Sequence, residues 1–334
     1  MENINEHPTI KFGKTGVLVI NLGTPDSTSW FDIRKYLKEF LSDRRVIEVP
    51  PILWQIILNV FILNLRPSKT AKAYKKIWMK KENMSPLRYY TIMQTKKLSE
   101  KIKNKNIIVD FAMRYGTPSI KSKMEKLKKK GCENIIVLPL YPQYAAATTA
   151  TVCDQVYRIL IKMRWQPSLQ IIPHYESEPL YIDALENSLN KKISEINWKP
   201  DLVIASYHGI PKKYFEKGDP YHCYCQKTSR LLSEKFNKIP IKTTFQSRFG
   251  PQEWLQPYTD KTLESLAKNG TKNVLVICPG FSSDCVETLE EIAIQGKESF
   301  LSNGGKNLDI VPCLNDTDDH INLFEHLVKK YFVE

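Results

Sequence analysis

The chain has 334 residues, 42% of them hydrophobic and 25% charged, a composition that suits a globular protein with room for two domains. Lys and Arg total 49 against 36 acidic residues. The cations are scattered, the densest run (Lys121 to Lys130) reads as a solvated helix face, and no basic stripe interleaved with aromatics marks a nucleic-acid partner. Seven cysteines make no disulfide framework at this length, and Met1–Thr15 lacks the apolar core of a secretory signal, so a reducing, cytoplasmic setting is expected.

The first element is a strand over Val17–Leu22, closed by Gly23-Thr24-Pro25. Val49–Leu65 follows, 17 residues without a charge. That is short of the roughly 20 a membrane span needs, and it opens on Pro50-Pro51. Two readings stay open: a buried core helix, or an exposed apolar lip in a membrane interface, with Trp54 as anchor and Arg66 at its end. Further β-branched runs predict strands over Ile107–Met113, Ile135–Leu140, Leu169–Pro173, Leu202–Tyr207, Thr243–Ser247, Val274–Ile277 and Leu308–Val311. Amphipathic stretches between them, such as Ile120–Lys130, Leu180–Ile196 and Lys261–Lys268, predict helices. Alternation of this kind argues for α/β architecture with parallel sheets covered on both faces.

A weak internal repeat points to two similar doubly wound, Rossmann-like halves. Leu127, Gly131 and Asn134 precede one apolar run, and Leu266, Gly270 and Asn273 precede another at the same spacing. The expected division is residues 14–152 with the lip at 49–65, residues 153–315, and a C-terminal helix over 316–334 that packs back on the first domain. No Gly-x-Gly-x-x-Gly or P-loop is present, so nothing favours a dinucleotide or nucleotide site.

Ligands of open α/β sheets sit past the C-terminal ends of strands. Ser206-Tyr207-His208-Gly209 places a histidine at such an end, where it can bind a divalent metal or move a proton. Asp284, Glu287 and Glu291 follow another strand at i, i+3 and i+7, one face of a helix; their alternative role is to stabilise a helix N-terminus. A histidine and a carboxylate ridge at two strand ends suit a cation such as Fe²⁺. Arg114-Tyr115, Tyr141, Tyr144, Phe249 and Trp254 also follow strands and suit a flat apolar ligand bearing carboxylates. Cys223 and Cys225 lack zinc-ribbon spacing; with Cys153 or Cys285 they are candidate thiolates for an iron–sulfur cluster, and free thiols are the plainer reading.

Taken together, Asn21–Pro25, Ser85-Pro86-Leu87, Phe111–Tyr115, Leu138–Tyr144, Tyr207–Pro211, Gly218–Tyr221, Phe245–Gly250 and Pro279–Glu291 resemble the ferrochelatase family in order and spacing. The resemblance implies two Rossmann-like halves enclosing a porphyrin cleft, with insertion of ferrous iron into protoporphyrin IX to give protohaem and release two protons. It implies His208 and Glu287 as catalytic and metal-site residues, and Leu22, Arg66, Tyr74, Ser85, Arg114, Tyr115, Trp254, Phe281 and Asp284 as substrate contacts. Alternatives are a coproporphyrin III enzyme, or a non-catalytic porphyrin or haem carrier on the same fold. Leu22, where coproporphyrin-specific relatives tend to carry Tyr, favours protoporphyrin, as does the apolar lip. No cofactor is implied beyond the substrate iron. Relatives with a 2Fe–2S cluster often use a C-terminal extension, and any cluster here falls to the Cys223/Cys225 region. A peripheral membrane contact at the inner face is expected, and no heptad signal speaks to oligomeric state.

Overall fold

A computed structural model describes residues 10–332; most of the segment read as lacking a secretory signal lies outside that range. The eight expected strands form, in two parallel four-stranded sheets of the same topology. β1 (Lys14–Gly23), β2 (Ile107–Tyr115), β3 (Cys132–Pro139) and β4 (Ser168–Ile171) lie in the order β2-β1-β3-β4. β5 (Leu202–His208), β6 (Ile241–Gln246), β7 (Asn273–Ile277) and β8 (Asn307–Ile310) repeat it as β6-β5-β7-β8. Each central strand is covered on both sides, which is why Val17–Ile20 and Val203–Ala205 are continuous apolar runs with no exposure.

Alternate residues of the central strands serve two different cores. Val17, Val19, Val203 and Ala205 face a shared middle layer, whereas Leu18 and Ile20 face outer helices of the first half and Ile204 those of the second. Four helices fill the middle layer: α4 (Pro86–Ile102), α7 (Pro179–Glu195), α9 (Tyr221–Lys235) and α12 (Asp318–Lys329). Their packing crosses between halves. α7 follows β4 yet packs on α9 of the second half, and α12 follows β8 yet packs on α4 of the first; the two also pack on each other. One apolar core therefore joins the sheets.

The division expected after residue 152 does not hold. α6 (Thr151–Leu160) buries Val152, Val156, Ile159 and Leu160 against Leu18 and Ile135, and β4 pairs with β3. The first half thus runs at least to Ile171, because β4 completes its sheet.

The repeat marks corresponding places in the two halves. Leu127 closes α5 (Ile120–Lys129) and Leu266 closes α10 (Thr259–Lys268), with Gly131 and Gly270 next at φ +92° and +93°. That is the left-handed conformation a helix C-terminus favours. β1 pairs Gly16 with Ile135, and β5 pairs Leu202 with Val274. Matching the two registers sets Leu22 and His208 at equivalent positions, each followed by glycine. A Cβ at Gly23 would lie 1.8 Å from the Tyr115 carbonyl oxygen, so the tight turn after β1 requires glycine.

α12 also carries a buried titratable group. His320 Nδ1 lies 2.7 Å from the Asn315 carbonyl oxygen and so carries the proton it donates, while the buried Nε2 finds no partner among the described residues. Burial pushes this imidazole down from 6.5 to about 4. Because the folded value is depressed, the unfolded chain takes up a proton first as pH falls. Stability should therefore drop by about 3 kcal/mol between pH 6.5 and 4 from this group alone. Urea unfolding of the wild type and His320→Leu across that range checks this: the variant's slope should be shallower, and identical slopes would refute it.

Candidate active site

His208 ends β5 half-buried, with Nδ1 2.6 Å from the carbonyl oxygen of Gly209. A carbonyl only accepts, so in the neutral ring the proton resides on Nδ1 and Nε2 is left with a bare lone pair. That nitrogen is the atom able to ligate a metal or receive a proton. Trp254 lies beside it, ring centroids 6.4 Å apart, its own indole N–H donating to the Phe249 carbonyl at 2.9 Å.

The carboxylates arise after β7. Glu287–Gly296 is a π-helix, an arrangement whose hydrogen bonds run i→i+5 and which recurs at functional sites. Glu291 is held by Ser247, whose backbone N–H donates at 2.7 Å and whose hydroxyl donates to the other oxygen. Ser247 adopts φ +65°, so that its amide and hydroxyl serve one carboxylate. Burial pushes the Glu291 carboxyl up and the Glu287 charge adds to this, while the Ser247 hydrogen bonds and nearby His208 oppose it. Glu291 is therefore within electrostatic reach of both His208 and Glu287. Gln246 locks the assembly, donating to the Glu287 carbonyl at 2.8 Å and accepting from Ser206 at 2.6 Å.

The expected three-carboxylate ridge does not form. Asp284 lies ahead of the π-helix and turns inward, accepting from Asn315 at 2.7 Å, from Thr288 at 3.1 Å and from the backbone N–H of Cys313 at 3.2 Å. The helical spacing assumed for the ridge fails because the segment is a turn followed by a π-helix. Asp284 anchors that turn, and Glu287 and Glu291 remain as the pair.

Opposite stand residues of the first half. Tyr74 is buried on α3 (Leu63–Ile77) and packs in one cluster with Tyr36 and Tyr115. Burial pushes the Tyr36 and Tyr74 hydroxyls up, and the Glu287 charge adds to it, which places both tyrosines near that carboxylate. Leu22 is half-buried between two apolar clusters, and Phe281 packs with Leu87, Met113 and Cys285. Arg66 projects from α3 over the ring of Phe249 in the other half, 4.2 Å from its centroid. Desolvation pushes its guanidinium down, and no carboxylate among the described residues pairs with it. A desolvated guanidinium with no carboxylate partner among the described residues is suited to a ligand carboxylate.

Three other expected contacts have partners within the protein. Arg114 forms a buried ion pair with Asp43, donates to the Thr151 carbonyl at 2.9 Å, and lies over the Tyr115 ring. Tyr115 is fully buried and donates to Asp43 at 2.9 Å. Ser85 is the N-cap of α4 and accepts from the Arg88 backbone N–H. These build the wall. Asp43, Ser247, Gln246 and Tyr36 were missed in sequence; Asp43 and Ser247 lie in loops, and their partners are 71 and 44 residues away.

The cysteines do not converge. Cys225 is fully buried on α9 and Cys223, two residues earlier, is exposed on another face. Among the described residues no group of three or more His, Cys, Asp or Glu side chains is arranged to hold a metal. These donors do not fit an iron–sulfur cluster, which needs four convergent thiolates.

A family model described as Ferrochelatase matches residues 14–331. The chain is 56% identical to the ferrochelatase of Rhizobium meliloti over 333 residues, covering 99% of this chain and 98% of that one. It is 55% identical to the ferrochelatase of Allorhizobium ampelinum over 329 residues, covering 98% and 96%. Solved structures share the fold at low identity. SirB from Bacillus subtilis with Fe³⁺ superposes with TM-score 0.57 at 11% identity, covering 95% of each chain. CbiX, described as the terminal enzyme for siroheme biosynthesis in denitrifying bacteria, gives TM-score 0.52 at 10% identity, covering 95% of this chain and all of that one.

Proposed function

The chain belongs to the ferrochelatase family and is a lyase that inserts ferrous iron into a porphyrin for haem synthesis; from that premise we propose that its porphyrin is protoporphyrin IX and that His208 and Glu287 meet the metal. The observation that carries the site assignment is the bare Nε2 of His208, beside Gln246 of the neighbouring strand, which itself donates to the Glu287 carbonyl at 2.8 Å.

Insertion replaces two pyrrole N–H bonds by iron–nitrogen bonds and releases two protons. His208 Nε2 accepts one. Glu287 accepts the other and passes it towards Glu291, whose raised affinity suits a proton store. Aromatic and apolar walls from Tyr74, Trp254, Phe281 and Leu22 hold the macrocycle, so that binding energy offsets its distortion towards the metal. Arg66 receives a propionate. Leu22 occupies the position equivalent to His208 and offers no axial oxygen, which supports protoporphyrin over coproporphyrin. Anaerobic incubation with Fe²⁺ and each porphyrin in parallel, followed by absorbance, tests this. Faster metalation of coproporphyrin III would overturn the substrate assignment.

The lip supports a peripheral membrane contact. No helix among the described residues is long and apolar enough to cross a bilayer. α2 (Pro51–Ile57), the π turn Leu58–Ile62 and the first residues of α3 instead divide the stretch: Trp54, Leu58 and Leu63 are buried, while Ile52, Leu53, Ile56, Val60, Phe61 and Leu65 are more than half exposed. Trp54 is therefore no interfacial anchor; its indole donates to the Leu41 carbonyl at 2.6 Å. An apolar face of this kind suits the headgroup boundary of a bilayer. Ile52, Ile56 and Phe61 replaced together by Ser should lower partition into phospholipid vesicles about tenfold or more, without shifting the unfolding midpoint. Unchanged partition would refute the contact.

A further inference from the structure

The two halves are joined by an ion pair that the metal site does not use. Lys76, in the last turn of α3, reaches Glu290 on the π-helix with Nζ 2.9 Å from Oε1. Gln295 donates to the other oxygen at 2.7 Å, so both oxygens of Glu290 are engaged. The Glu290 side chain is 7% exposed and that of Lys76 is 49% exposed. Among the described residues no other ion pair joins α3 to this helix.

The position of the pair gives it consequence. α3 carries Arg66 and Tyr74, while Glu290 lies between Glu287 and Glu291 in the π-helix. A π-helix is a rare element, found mostly at functional sites, and surrounding contacts hold it in place. The equivalent π turn of the first half, Ala146–Ala150, is also tied across the halves: the backbone N–H of Ala146 donates at 2.8 Å to Asp219, which follows α8 (Lys212–Glu216). Each half thus secures the other's π segment with a polar contact near the end of the helix before the middle layer. In the second half that segment bears the carboxylates.

We propose that Lys76 and Glu290 are positioning residues, a clasp that sets the gap between the porphyrin-bearing helix α3 and the carboxylates Glu287 and Glu291. The clasp rests on Glu287 serving the metal. Without it, α3 still binds the macrocycle through Arg66 and Tyr74, but the carboxylates lose their register to the pyrrole nitrogens. Positioning errors of about an ångström lower rates by about a hundredfold.

The test compares Lys76→Met, Glu290→Gln, Lys76→Arg and the charge-reversed double variant Lys76→Glu/Glu290→Lys, with Glu287→Gln alongside. Lys76→Met and Glu290→Gln should each lower kcat about tenfold or more, with KM for porphyrin and porphyrin fluorescence quenching within about twofold of wild type. Lys76→Arg should restore most of the rate, and the reversed pair should exceed either single variant, with Gln295 turning its amide to accept from the new lysine. Unchanged kcat in Lys76→Met would overturn the proposal. So would a rate loss that merely tracks a lowered unfolding midpoint, or a reversed pair no better than the single variants. Should Lys76→Met or Glu290→Gln not fold, the polar Lys76→Gln, at a half-exposed position, is read by the same criteria. Full activity in Glu287→Gln would instead overturn the metal-site assignment.

Discussion

His208→Ala should lower the rate of iron insertion by at least about a thousandfold while leaving a folded protein that still binds porphyrin. The fold should survive because the ring makes little structural contact. It is half-buried, and its hydrogen bond goes to the carbonyl of its own neighbour, Gly209. Removing it takes a single donor from the Gly209 carbonyl, so the cost in stability should be limited to about 1–2 kcal/mol. The rate should fall because the site loses its bare imidazole nitrogen, and Glu287 and Glu291 form a single carboxylate cluster that cannot readily hold both departing protons. Anaerobic metalation followed by absorbance gives the rate, porphyrin fluorescence quenching gives binding, and urea unfolding gives stability. A variant within about tenfold of the wild type would remove His208 from the chemistry.

What was legible in the sequence was whatever depends on local pattern. Val17–Leu22 and Val274–Ile277 read as buried strands because parallel strands covered on both faces need unbroken apolar runs. The strand-end rule then singled out His208, which lies where it placed it. Patterning failed where the backbone left its standard period. Asp284, Glu287 and Glu291 share a face only on a regular α-helix, and the π-helix from Glu287 removes Asp284 from the set. The same holds at Leu58–Ile62, where a π turn splits the apolar stretch into buried and exposed residues that no α-helical wheel separates. The domain boundary failed for a different reason. β4 is a four-residue strand with no fully buried position, and its sheet becomes evident only from its pairing with β3. Long-range polar partners were invisible altogether. Nothing near Asp43 in sequence announces Arg114 and Tyr115, so residues that resembled ligand contacts turned out to be bonded within the wall.

That wall makes the second large prediction. Asp43→Ala should destabilise the protein by about 3–5 kcal/mol, because it leaves the guanidinium of Arg114 without a counter-charge where its side chain is 7% exposed. Asp43 also accepts from the Tyr115 hydroxyl at 2.9 Å and from the backbone N–H of Arg45 at 2.8 Å, so three donors lose their acceptor together. The cleft should suffer with the fold, since the Tyr115 carbonyl packs against the turn at Gly23 that follows Leu22. A buried pair, however, is dearer to break than to replace. The double variant Asp43→Leu/Arg114→Met removes the stranded charge along with its partner, and should be more stable than Asp43→Ala by about 2 kcal/mol. Urea unfolding midpoints of the three proteins decide the matter. A loss below about 1 kcal/mol in Asp43→Ala would show that the guanidinium finds water or another acceptor. A double variant as weak as the single one would place the stability in the Tyr115 and Arg45 hydrogen bonds rather than in the charge pair.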